Sequence, residues 1–182
     1  MGQWTRRFTG VTSPSSWDVV RKGVTFTPTP PVPGTGTELT TAEYGYIAAA
    51  GDGNYLTVSG GMMGYPYYIV SWKAPSWLTK KSFAIGSGHL VYGGDPFTPS
   101  WLVNLYLWNP ATSAWDFQQG HSNAGFTYLG AQGKKNVNAP PYLTADGYIH
   151  EGVISPVMGM MGSLLYVDYL VFIWAAVQAF LL

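Results

Sequence analysis

The chain has 182 residues, enough for one domain with a full core and too few for two ordinary ones. Ionised side chains are scarce, at 10% against 47% hydrophobic and 16% aromatic, and nine basic residues balance nine acidic ones. Without a net field, electrostatic capture of nucleic acid or an anionic membrane is excluded as the main activity. A surface so far below the roughly 25% charge usual for soluble proteins predicts that much of it is covered, and the lack of cysteine removes disulfides, thiol catalysis and thiolate metal sites.

Residues 1–40 read as an extended N-terminal arm. Arg6 and Arg7 are not followed by an apolar run, so no secretory signal is expected. The tract from Thr25 through Pro28, Pro30, Pro31 and Pro33 to Gly36 is too rich in proline for helix or central strand. An arm without a core of its own must lie on another surface, either its own domain or a neighbouring subunit. The four prolines are therefore expected to make assembly contacts.

Residues 41–174 read as an all-β sandwich, because short β-rich runs alternate with turn residues. Tyr44 to Ala50 ends at Gly51, Asp52, Gly53 and Asn54, and Tyr55 to Val58 ends at Ser59, Gly60 and Gly61. Further runs are Tyr65 to Trp72, Ser82 to Ile85, His89 to Tyr92, Leu102 to Trp108, Trp115 to Gln118, Gly125 to Gly130 and Tyr148 to Ile154, with Gly86-Ser87-Gly88 read as a turn. The run from Leu164 to Leu182 is nearly long and apolar enough for a membrane helix. Its β-branched and aromatic stretch Leu165 to Ile173, with Asp168 inside it, favours a long core strand. Residues 175–182 are then an apolar C-terminal tail, with Phe180, Leu181 and Leu182 expected to dock on a partner.

The stretch Tyr142 to Ile149, with its Asp146-Gly147 turn, and the later Ser163-Leu164-Leu165-Tyr166-Val167-Asp168-Tyr169 resemble the closing strands of discoidin-like, galactose-binding-type jelly rolls. Val103 to Trp108 followed by Trp115-Asp116 is similar to the middle hairpin of that sandwich, and Asp52 to Leu56 to its first strand. The resemblance spans residues 43 to 174; the proline-rich arm and the apolar tail lie outside it. It implies a jelly-roll β-sandwich and the binding of glycans, or service as an accessory, adhesion, virion or appendage module. Fold alone does not choose among these.

No catalytic grouping is expected. A Gly-x-Ser-x-Gly elbow is missing, and His89, His121 and His150 lack the short spacings of zinc motifs. Neither a metal nor a cofactor is expected. Asp52, Asp95, Asp116 and Asp146 stand in turn contexts where carboxylates accept backbone amides, and Asp168 is expected to be a paired structural group because an unpaired buried carboxylate is costly.

The aromatics are the strongest positive feature, since flat rings near loops stack on sugars or fill partner pockets. Trp77, Trp101, Tyr92 and Trp115 are the ligand-binding candidates. The Met-Gly patches 60–64 and 158–162 suit an adaptable contact surface. The composition leads to a non-catalytic assembly subunit that self-associates into a homo-oligomer or polymer, as in a virion part or an extracellular filament. The alternatives are a glycan-binding adhesion module and a subunit anchored in a membrane through residues 160–182.

Overall fold

The computed structural model describes residues 3–7, 18–74, 83–95, 100–122, 124–135, 142–158 and 162–176. In chain order its elements are β1 (Gln3–Arg7), β2 (Val19–Thr25), β3 (Thr37–Glu38), α1 (Thr41–Tyr46), β4 (Leu56–Gly61), β5 (Tyr65–Lys73), β6 (Phe83–Asp95), β7 (Ser100–Trp101), β8 (Val103–Asn109), β9 (Ala114–His121), β10 (Thr127–Leu129), β11 (Gln132–Lys135), β12 (Tyr148–Ile154) and β13 (Ser163–Ala176). They form two antiparallel sheets and a jelly-roll-type sandwich. The six-stranded sheet runs β3-β2-β5-β12-β8-β9. The seven-stranded sheet runs β1-β13-β6-β10, with β4 also on β13 and β7 and β11 also on β6.

Period-two alternation places the core between the sheets. Val20, Tyr68, Val70, Trp72, Leu105, Leu107, Ile149 and Val153 point inward from one sheet, and Leu56, Val58, Val91, Leu165, Val167 and Leu170 from the other. A buried polar chain joins the two layers. The Tyr68 hydroxyl lies 2.8 Å from His89 Nδ1, His89 Nε2 lies 3.1 Å from Glu151 Oε2, and Trp72 Nε1 donates to the same oxygen over 2.7 Å. Trp72 is thus a core residue with no exposure.

Three expectations are corrected. First, Val19–Thr25 is not part of a loop-like arm but a strand between β3 and β5. Its inward side chain Val20 is fully buried while Arg21 and Lys22 are half-exposed, so charged neighbours and the following prolines masked the alternation. Second, Thr41–Tyr46 is helical, because Thr40 and Glu43 form a reciprocal capping box and Tyr44 and Ile47, one helical turn apart, bury one face. The Tyr44 hydroxyl accepts from the Val20 amide at 3.0 Å, and Lys22 pairs with Glu43, fastening the helix to β2.

Third, Gly86, Ser87 and Gly88 run straight through β6. A Cβ on Gly88 would lie 3.0 Å from Val171 Cγ1 on β13, so this glycine marks a close strand approach rather than a turn.

The apolar run near the C-terminus is strand β13 over Ser163–Ala176. No helix among the described residues is long and apolar enough to cross a membrane. Asp168 sits where the register with β6 shifts by one residue, and its Oδ2 accepts the Gly51 amide at 2.9 Å. It is a paired structural carboxylate. Phe180, Leu181 and Leu182 lie outside the described residues.

Candidate functional site

The outer face of the six-stranded sheet is built by cross-strand rows. Val19, Ser71 and His150 are in register on β2, β5 and β12. Lys73 and Tyr148 form the next row on one side, and Arg21, Ile69, Gly152 and Tyr106 the next on the other. Because Val20, Val70 and Ile149 face the core, alternation turns every member of these rows outward.

The proline tract lies across part of this face. Pro30 is buried, and a Cβ on Gly152 would lie 2.8 Å from Pro30 Cγ and 3.1 Å from Trp115 Cη2. Only glycine leaves room for the strap at that point. Trp115 Nε1 donates to the Pro31 carbonyl at 3.0 Å. Beneath and beside the strap, Tyr67, Ile69, Tyr106 and Ile154 form a second apolar cluster flanked by Tyr65 and Trp115. Pro30 and Pro31 therefore dock on the chain's own sheet; Pro28 is exposed.

Beyond the strap the face opens into a cleft of about 300 Å³ lined by Val19, Arg21, Pro33, Gly34, Ser71, Asp146, Tyr148 and His150. Pro33 and Gly34 supply one wall, so the strap helps shape the opening. Arg21 Nη1 donates to the Gly36 carbonyl at 3.1 Å, and Nη2 lies 3.7 Å from Glu38, which orients the guanidinium. The rings of Tyr148 and His150 are parallel to within 10°, with centroids 6.0 Å apart, and Lys73 Nζ sits 4.3 Å from the Tyr148 centroid.

His150 Nδ1 is 2.8 Å from Ser71 Oγ. Burial holds the imidazole down to a pKa of about 4, against a smaller upward pull from Asp146. At neutral pH it is an uncharged ring with a donor and an acceptor. Asp146 is fixed by the Thr144 hydroxyl, which donates to its Oδ1, while its carbonyl accepts from Lys73. The cleft thus gathers a guanidinium, a carboxylate, a hydroxyl, a neutral imidazole and a phenol, with charges of both signs in balance.

The four ring candidates separate. Tyr92 and Trp101 stack on each other at 4.7 Å, but on the opposite, seven-stranded sheet. Trp115 is on the cleft's side, with its indole engaged by the strap. Trp77 lies outside the described residues. Arg21, Ser71, Tyr148 and His150 were missed as site residues, because Arg21 was assigned to an arm and the others to strands. A period-two reading of Ser71 and Lys73 against Tyr148 and His150 would have put them on one face. Among the described residues no three His, Asp or Glu side chains gather as a metal site.

No family model and no curated protein sequence matches the chain. Similar solved structures include a variant of a carbohydrate-binding module of family 29, at 9% identity over 94% of this chain and 92% of that one, with a TM-score of 0.45. The CBM22-1 xylan-binding domain from Paenibacillus barcinonensis is similar at 10% identity over 97% and 94% of the two chains, with a TM-score of 0.39. The family 11 carbohydrate-binding module from Clostridium thermocellum is similar at 10% identity over 94% and 86%, with a TM-score of 0.32.

Proposed function

We propose that the chain is a non-catalytic glycan-binding β-sandwich whose ligand lies in the polar cleft on the outer face of the six-stranded sheet. One observation carries this reading. Two parallel rings, Tyr148 and His150, converge in an open cleft with a fixed cation, Arg21, and a fixed anion, Asp146. Ring faces pack against the C–H side of a sugar, while guanidinium and carboxylate together satisfy neighbouring hydroxyls as donor and acceptor. The balanced charge suits an uncharged saccharide.

Glycoside hydrolysis needs two carboxyl groups flanking the bond. Asp146 is the one carboxylate among the residues lining this cleft. Glu151, one position beyond His150 on β12, points the other way into the core and is fully buried. The assembly reading rested on low charge, on the lack of a catalytic grouping and on an arm and an apolar tail expected to dock on neighbours. Pro30 and Pro31 already have a seat on this sheet, which favours the glycan reading.

Affinity electrophoresis against soluble neutral glucans, mannans, galactans and xylans tests the proposal. Retardation by at least one polymer is expected. Charge-assisted hydrogen bonds contribute about 1.5 to 3 kcal/mol, so Arg21→Ala or Asp146→Ala should weaken binding by about tenfold or more. Wild-type migration unchanged by every polymer, or variants that bind as well as the parent, would refute it.

A further inference from the structure

The seven-stranded sheet carries a second cleft on its own outer face. Tyr166 on β13 and Tyr92 on β6 are in register, Phe126 lies just ahead of β10, and Tyr55 just ahead of β4. Their centroids form a closed loop: 5.2 Å from Tyr55 to Tyr166, 5.7 Å to Tyr92, 5.8 Å to Phe126 and 5.8 Å back to Tyr55. Among the described residues these four side chains line a cleft of about 210 Å³. Trp101 stacks on Tyr92 as a buttress, and Gly94 lets it approach, since a Cβ there would lie 2.5 Å from Trp101 Cε3.

We infer that this four-ring cup is a binding site for a quaternary ammonium group of the trimethylammonium type. A loop with those sides has its centre about 4 Å from each centroid, so a cation seated above the centre lies within the ~6 Å over which ring faces attract positive charge. The inclination of Tyr55 to Tyr166, at 88°, and to Phe126, at 57°, makes a cup rather than a flat shelf. Among the described residues the lining offers no amide, carboxylate or cationic side chain. A sugar would leave hydroxyls there with only phenol groups to meet them, whereas a quaternary ammonium has no hydrogen bonds to lose.

Burial, and behind it the charge that would form on a neighbouring tyrosine, raises the pKa of Tyr92 and of Tyr166, so both rings stay neutral. The inference goes beyond glycan binding and does not depend on it.

The test is an aromatic-resonance NMR titration of the full chain with choline and with its uncharged isostere 3,3-dimethylbutan-1-ol, together with co-sedimentation on phosphatidylcholine vesicles. Choline should move the ring signals of Tyr55, Tyr92, Phe126 and Tyr166 in a saturable way. Tyr148 signals report separately on the polar cleft. A cation–π preference of about 1 kcal/mol makes choline at least about fivefold tighter than the isostere. Tyr92→Ala should abolish the shifts and Tyr92→Phe should restore them, since the ring face and not the hydroxyl holds the cation.

Co-sedimentation would identify the group as a lipid headgroup, and choline binding without it as a soluble or peptide-borne one; both support the inference. Equal affinity for the isostere would mark the cup as a merely apolar pocket and overturn it. Absence of choline shifts would overturn it as well, as would ring shifts that follow protein concentration alone.

Discussion

Replacing Glu151 by leucine should destabilise the protein by about 3 to 5 kcal/mol, the range for breaking a buried ionic or strongly polar pair from one side. Glu151, His89, Tyr68 and Trp72 are all fully buried, and Oε2 of Glu151 receives both His89 Nε2 and Trp72 Nε1. The neutral tautomer that lets Nε2 donate to Glu151 carries its proton there and leaves Nδ1 to accept from the Tyr68 hydroxyl. Burial and then Glu151 push the Tyr68 hydroxyl well above the ordinary phenol range, which keeps it a donor. Leucine would strand two buried N–H groups at about 1 to 3 kcal/mol each. Near-isosteric volume leaves little cavity contribution.

With a urea m-value of roughly 2 kcal/mol/M, a loss of 4 kcal/mol lowers the midpoint by about 2 M, readable by tryptophan fluorescence. Glu151 Oε1 finds no hydrogen-bond partner among the described residues, so the polar chain is incompletely compensated. His89→Leu combined with Glu151→Leu should cost less than the two single losses added, but recover only part of the loss, because Trp72 Nε1 and the Tyr68 hydroxyl each lose the partner they have here. A Glu151→Leu loss below about 1 kcal/mol would refute the reasoning, as would a double variant no better than the sum of the singles.

Other outcomes follow from the same geometry. The His150 pKa falls from 6.5 in the unfolded chain to about 4 in the fold, so the unfolded state binds more protons between those values. The His150 contribution to stability is present above pH 6.5 and declines towards pH 4, by at most about 3 kcal/mol. Urea midpoints across that range should fall more steeply for wild type than for His150→Gln, and parallel slopes would contradict the assignment. Gly152→Val should collide with Pro30 and Trp115, costing about 1 to 3 kcal/mol and raising amide exchange over residues 26–36; protected amides there would disprove the strap's seat. Asp168→Ala leaves the Gly51 amide unmet and should cost about 1 to 3 kcal/mol, largely restored in Asp168→Asn, as thermal melts would show.

Strands with plain alternation and closing turn residues were legible in the sequence. β8 and β12 appear nearly where their residues place them, and β13 resolves the ambiguous apolar run because β-branched and aromatic content outweighs length. Misreadings occurred where one residue type serves two purposes. Glycine was taken as punctuation in β6, where it instead admits Val171. Proline was taken as the mark of an arm lying on its own domain or on a neighbouring subunit, and its rigid extended form serves as a strap laid on the chain's own sheet. The capping box at Thr40 and Glu43 was written in the sequence and was outweighed by the β-rich run that follows.

The candidate clefts were legible only in part, for a physical reason. Tyr92 and Trp101 were named from their loop-like surroundings and do meet, but their neighbours Tyr55, Phe126 and Tyr166 come from β4, β10 and β13 regions far apart in the chain. Convergence depends on strand order and register, and short motifs encode neither. Once register is known, the assignment is strongly constrained. With Val20, Val70 and Ile149 inward, Arg21, Ser71, Tyr148 and His150 must share the opposite face, and with Val91 and Leu165 inward, Tyr92 and Tyr166 must share theirs. A one-residue slip of β12 against β5 would bury His150 and expose Glu151. The buried Glu151–His89–Tyr68 chain opposes that slip, so this polar cluster also fixes which side chains face the polar cleft.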